Sequence, residues 1–140
     1  MYAINSDASS TFHSKCDNKG PTLTLVMTDK NRRFGSFTTV SWNKNSSFYN
    51  DPKAFIFSLN NSENYYLKNS NGENAIYCDS SYGPTFGSGH DFVIGNSCRS
   101  GQNSSENSGS TYDTQGKKYA LSCESSFKVL DYEVYQIEFS

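Results

Sequence analysis

Long apolar runs are missing from this 140-residue chain. The longest, Ala54 to Leu59, is broken by Ser58 and falls far short of the ~20 residues a helix needs to cross a bilayer, so no transmembrane segment is expected. Basic clusters are missing too. Beyond the Arg32-Arg33 and Lys117-Lys118 pairs no cationic run occurs, and the net charge is −2. That leaves no electrostatic footprint for nucleic acid or anionic lipid. Met1-Tyr2-Ala3-Ile4-Asn5 has neither the positive nor the apolar region of a secretory signal. The four cysteines, at 16, 78, 98 and 123, include no Cys-x-x-Cys spacing, which weighs against a zinc knuckle. No metal and no other cofactor is expected.

Aliphatic residues are also sparse. The apolar share is 34% and the mean hydropathy −0.70, values that by themselves point toward disorder. Ten Phe, ten Tyr and one Trp, together 15% of the chain, point the other way. Each buried ring removes about 150–250 Å² from water, so a few rings can supply the core that aliphatic residues do not. The length suits one domain over 1–140.

Ser6 or Asp7 can cap a short helix from Ala8 to Cys16, which Gly20 and Pro21 end. The period then changes to two. Leu23, Leu25 and Met27 share one face of a strand and the threonines the other. Asp29-Lys30-Asn31 turns the chain into a second strand from Arg33 to Ser41, with Gly35 a bulge or close-packing point, and Trp42 opens a polar loop. Ala54 to Leu59, apolar on both sides, suits an interior strand covered on both faces. Tyr65–Leu67, Ala75–Cys78, Phe92–Ile94, Phe127–Val129 and Tyr132–Phe139 read as further strands, the last with Glu133, Tyr135, Ile137 and Phe139 on one face and Tyr132 and Val134 on the other. The segment 96–118 is nearly all Ser, Asn, Gly, Gln and Glu, a composition that predicts a mobile surface loop. About seven to nine short strands with frequent turns predict a mainly β fold: a two-sheet antiparallel β-sandwich with one or two short flanking helices.

Few residues carry a chemical signal. His13 and Cys16, three apart on the helix, could form a metal half-site or an activated thiol, or a buried cysteine beside a hydrogen-bonded histidine. His90 beside Asp91 could be a base with its orienting carboxylate, although neighbours in a strand point apart. Gly83 to Gly89 lacks the Lys-Ser/Thr ending of a phosphate loop and reads as a compact turn with Phe86 in the core. Glu133 in an apolar strand must be paired, hydrogen-bonded or at a rim. A partner contact, a general base and an ion pair with Lys15, Arg32 or Arg33 are its readings. No nucleophile, base and orienter come together. The cysteines form two disulfides or stay as thiols.

Several segments in order carry a resemblance: Phe12 to Leu23, Phe34-Gly35-Ser36-Phe37-Thr38 with Trp42, Ala54 to Leu59, Ala75-Ile76, Gly83-Pro84-Thr85-Phe86-Gly87, Asp91, Gly109-Ser110-Thr111-Tyr112, Phe127-Lys128-Val129 and Glu133-Val134-Tyr135. Together they resemble the TLDc domain, from about residue 2 to residue 138. The resemblance implies a β-sandwich flanked by short helices, reduced thiols, and a cytoplasmic or membrane-peripheral adaptor with a protein partner. TLDc proteins are associated with oxidative-stress resistance and with binding subunits of the vacuolar proton-pumping ATPase, in some cases promoting its disassembly. The family has no established catalytic residues, so the resemblance implies a non-enzyme. It usually has a further N-terminal helix ahead of the Met1-Tyr2 position, so the chain is expected to be a fragment or a minimal version. Two other readings stand beside this one: a redox-active protein using Cys16 and His13, and a secreted carbohydrate-binding sandwich with two disulfides and an aromatic face of Tyr65, Tyr66 and Tyr82.

Overall fold

A computed structural model describes residues 2–3 and 8–138. One sheet runs β1 (Tyr2–Ala3), β12 (Val129–Gln136), β2 (Thr22–Thr28), β3 (Arg33–Thr38), β5 (Phe55–Ser58) and β6 (Glu63–Tyr66). The other runs β11 (Ser126–Phe127), β10 (Ser104–Glu106), β9 (Phe92–Gly95), β8 (Tyr82–Phe86), β7 (Ile76–Cys78) and β4 (Ser47–Tyr49). Every strand pairing is antiparallel. One helix, α1 (Ser9–Cys16), is found among the described residues. The mainly β expectation is met, with more and shorter strands than the turn spacing suggests. The caps expected at Ser6 or Asp7 lie outside the described residues, and Ala8 holds the N-cap position without a side-chain bond. Asn31 turns the β2–β3 hairpin with φ 63°, the left-handed conformation that Asn tolerates.

The core is built from rings. Phe34 of the first sheet meets Phe92 and Phe127 of the second edge-on, at centroid distances of 5.4 and 5.5 Å, and Phe86 stacks on Phe92 at 5.2 Å. All four are fully buried. Trp42, expected to open a polar loop, is fully buried as well. It lies edge-on to Phe12 of α1 and to Phe86.

The facing of β2 is opposite to what its own pattern suggests. Thr22, Thr24, Val26 and Thr28 are buried, and Leu23, Leu25 and Met27 point outward, half-buried. The neighbours decide this. Residues paired across an antiparallel ladder share a face. The registers set Met27 between Asp131 and Arg33, and Leu25 between Glu133 and Gly35. Turning the leucines inward would bring Arg33, Asp131 and Glu133 into a dry core, where an unpaired charge is far costlier than an exposed leucine.

The polar segment 96–118 also departs from expectation. It contributes β10, and Cys98, Ser104, Glu106, Tyr112 and Thr114 within it are buried. Buried carboxylates hold it, Asp91 from outside the segment and Glu106 from within. β5 is interior to its sheet, as expected, but α1 packs elsewhere, against the 79–82 turn through His13. The outer side of β5 is therefore not covered by helix or sheet among the described residues.

Candidate interaction surface

The outer side of the first sheet is a grid set by strand register. One row runs Arg33, Met27, Asp131, with Leu59 beside Arg33 through the bond from Leu59 N to Arg33 O. The next runs Asn64, Phe57, Gly35, Leu25, Glu133. The third runs Tyr66, Phe55, Phe37, Leu23, Tyr135. Gly35 has the packing role foreseen for it: a Cβ there would collide with the Phe57 ring and the Thr24 carbonyl. The missing side chain lets Phe57 lie down over the sheet. Leu59 is 52% exposed and Tyr66 59%. Beside Leu25 and Met27 a shallow cleft of about 200 Å³ opens, with Arg33 on one side and Asp131 and Glu133 on the other. Strands lie about 4.8 Å apart, so the backbone positions that carry the opposite charges are about 10 Å from each other across β2.

Glu133 belongs to this surface. Among the described residues, neither Arg32 nor Arg33 forms an ion pair with it. Its carboxylate accepts a 2.5 Å hydrogen bond from the Tyr135 hydroxyl, two residues along the same face, and that bond raises the tyrosine pKa. Arg32 turns away to donate to the Leu121 carbonyl, and Asp131 pairs with Arg99 at 2.8 Å. A charge at a wet rim beside apolar floor is the usual composition of a recognition surface.

Of the other sequence candidates, His13, Cys16 and Asp91 are buried within the fold. His13 is buried, with Nδ1 2.7 Å from Asp17 Oδ1 and Nε2 2.7 and 2.9 Å from the Asp79 and Tyr82 carbonyls. Both ring nitrogens face oxygen acceptors, so neither is left for Cys16 or a metal. The partners lie 66 and 69 residues away, which no local spacing could disclose. Cys16 is fully buried. Burial foremost, and the Asp17 charge after it, push its thiol up to about 12. Asp91 is fully buried, and its carboxylate accepts from the backbone N–H groups of Thr111 and Tyr112 at 3.0 Å. Burial raises its pKa, and those donors act in the opposite sense. His90 stands in a turn with φ 52° and packs its ring against Tyr77 and Tyr82, away from the buried Asp91 carboxylate. Among the described residues no three His, Cys, Asp or Glu side chains converge as a metal site.

The carbohydrate reading loses its aromatic face. Alternation along β6 buries Tyr65 and exposes Tyr66, and Tyr82 lies in the other sheet. All four cysteines are free. In folded protein near neutral pH, the exposed Cys123 is expected to take an alkylating reagent first. Cys16 should react at least about a hundredfold more slowly than a free thiol, because the thiolate is the nucleophile. Peptide mapping after timed labelling checks this, and a Cys16 rate equal to a free thiol's would restore the redox reading.

The TLDc domain profile matches residues 2–138, and the chain belongs to the TLDc domain family. No curated protein matches it significantly. No helix among the described residues is long and apolar enough to cross a membrane.

Proposed function

We propose that this TLDc domain is a non-catalytic interaction module that docks a protein partner on the outer side of its first sheet, and that the partner is the soluble head of the vacuolar proton-pumping ATPase. The observation that carries the docking reading is the apolar grid around Leu25, Phe55 and Leu59, half-buried to exposed, with Arg33 facing Asp131 and Glu133 across it. Contiguous exposed apolar area rimmed by charge is what a recognition site presents. A helix with an aliphatic stripe and one charge of each sign on its flanks complements it. The choice of pump rests on membership of the TLDc family. The thiol alternative gains no support from a Cys16 this deeply buried.

The test is a pull-down with the purified head of the pump, using the wild-type chain and the Leu25→Glu and Leu59→Asp variants. Wild-type binding at low-micromolar concentration is expected, with a loss of about tenfold or more in each variant, as for truncated apolar anchors elsewhere. Circular dichroism checks folding. Absence of wild-type binding would remove the pump as partner. Undiminished binding by both variants would remove the surface.

A further inference from the structure

The second sheet carries an aromatic recess that the docking surface does not use. β4 is the edge of that sheet, and its register pairs Phe48 with Tyr77 of β7. Tyr82 opens β8, and His90 stands in the turn after it with φ 52°. These rings close on one another. Centroid distances are 4.6 Å from Phe48 to Tyr77, 5.4 Å from Tyr77 to His90 and 5.7 Å from Tyr82 to His90. Asp79 completes the wall, and the recess measures about 270 Å³. His13 holds the turn from beneath through the Asp79 and Tyr82 carbonyls, so the walls are fixed from the core side.

Ordinary ring packing would bury such a cluster. Here Phe48 is 41% exposed, and Tyr77, Tyr82 and His90 are only half-buried. The lining contains one carboxylate and no Lys or Arg. Ring faces carry the negative end of the aromatic quadrupole and attract cations. Burial lowers the His90 pKa, so the imidazole is neutral at pH 7 and does not repel a cation. Asp79 stays a carboxylate, held low first by the Ser81 backbone N–H. Its oxygens are already engaged: Oδ1 accepts from Ser81 N at 2.8 Å, and Oδ2 from the Tyr77 and Ser46 hydroxyls at 2.9 and 3.2 Å. With three of its roughly four lone-pair sites filled, the carboxylate offers a primary ammonium or a guanidinium about one acceptor position, too few for their three or more N–H groups. A quaternary ammonium has no N–H to satisfy and needs only ring faces and a nearby negative charge. The volume lies below the 300–1,000 Å³ of sites that enclose a whole ligand, and suits a headgroup.

We propose that the recess formed by Phe48, Tyr77, Asp79, Tyr82 and His90 binds a quaternary ammonium group of the trimethylammonium kind. The source is a choline moiety or a trimethylated lysine side chain, which share this chemistry. Such binding would operate on the opposite sheet from the docking surface and does not depend on it.

The experiment is an NMR titration of the isotope-labelled chain with tetramethylammonium, choline, trimethyl-lysine amide, methylammonium and 3,3-dimethylbutan-1-ol, the neutral isostere of choline. Tetramethylammonium, and at least one of choline and trimethyl-lysine, should saturate and shift signals of Tyr77, Tyr82 and His90. Whichever of these two binds tighter identifies the source. The neutral isostere and methylammonium should each bind at least about tenfold more weakly, because they lack the charge or carry unsatisfied donors. Phe48→Ala, at an exposed edge position, and Asp79→Asn should each lower affinity by about threefold to tenfold. Equal binding of the isostere, tighter binding of methylammonium, shifts confined to other residues, or unchanged affinity in both variants would overturn the proposal.

Discussion

Glu106→Ala is expected to destabilise the fold by about 3–5 kcal/mol, since hydrogen bonds to a charged group contribute about 1.5–3 kcal/mol each and orphaned buried donors add to the loss. Glu106 ends β10 and is 3% exposed. Oε1 accepts from the backbone N–H and the hydroxyl of Ser122, both at 2.7 Å. Oε2 accepts from the Leu121 N–H at 2.9 Å and the Ser108 hydroxyl at 2.5 Å. No cation pairs with it among the described residues. The carboxylate is a hub whose compensation comes wholly from donors, and alanine leaves two buried backbone N–H groups without an acceptor. Glu106→Gln separates shape from charge. Each oxygen receives a backbone N–H, so either orientation of the amide points its NH₂ at a donor, and a loss of about 2 kcal/mol is expected. Urea unfolding followed by circular dichroism reads both. The alanine variant should move the midpoint down by roughly 2 M, for a slope of 1–3 kcal/mol per molar. A shift under one quarter of that would show that the segment is held by something other than this hub.

The same hub explains where sequence reasoning stopped. Composition counts apolar area, and by that measure 96–118 cannot offset its ordering entropy. Glu106 and Asp91 offset it by gathering backbone donors from residues 15 to 21 positions away, a means that no local window registers. What was legible had local causes. The α1 segment, the β2–β3 hairpin and the two-faced pattern of β12 follow from period and turn chemistry; the first two are present, and the third is present from Tyr132 to Tyr135, the strand ending at Gln136 and Phe139 lying outside the described residues. The outward turn of Leu23, Leu25 and Met27 was not legible, because it is imposed by charges on β3 and β12. Glu133 was recognisable as an anomaly in an apolar strand, and it does mark the candidate surface. The aromatic recess was not recognisable. Its rings come from β4, β7, β8 and a turn, and only the Gly-rich stretch before His90 hinted that the chain doubles back there.

Trp42→Ala should produce a loss of similar size, about 3–5 kcal/mol, the range for removing a large buried aromatic. The side chain is fully buried and touches three parts of the molecule. Its Nε1 donates to Thr22 Oγ1 of β2 at 3.0 Å. Its ring lies 5.5 Å from Phe12 of α1 and 5.6 Å from Phe86 of β8. Its carbonyl accepts from the Asn18 N–H just after the helix. Trp42→Phe keeps most of the ring contacts but strands the Thr22 hydroxyl, which is 1% exposed, so about 1–2 kcal/mol is expected. A melting temperature lower by about 10–15 °C in the alanine variant follows from the usual scaling for a domain of this size. The consequences should also be local. An eight-residue helix is too short to persist alone, and α1 is anchored through Phe12 on Trp42 and through His13 on the 79–82 turn. Amide exchange in residues 9–16 should therefore accelerate in Trp42→Ala more than exchange in β2 and β12. Uniform acceleration across both sheets would mean that the helix is held by His13 alone, and that Trp42 serves only to fill volume between the layers.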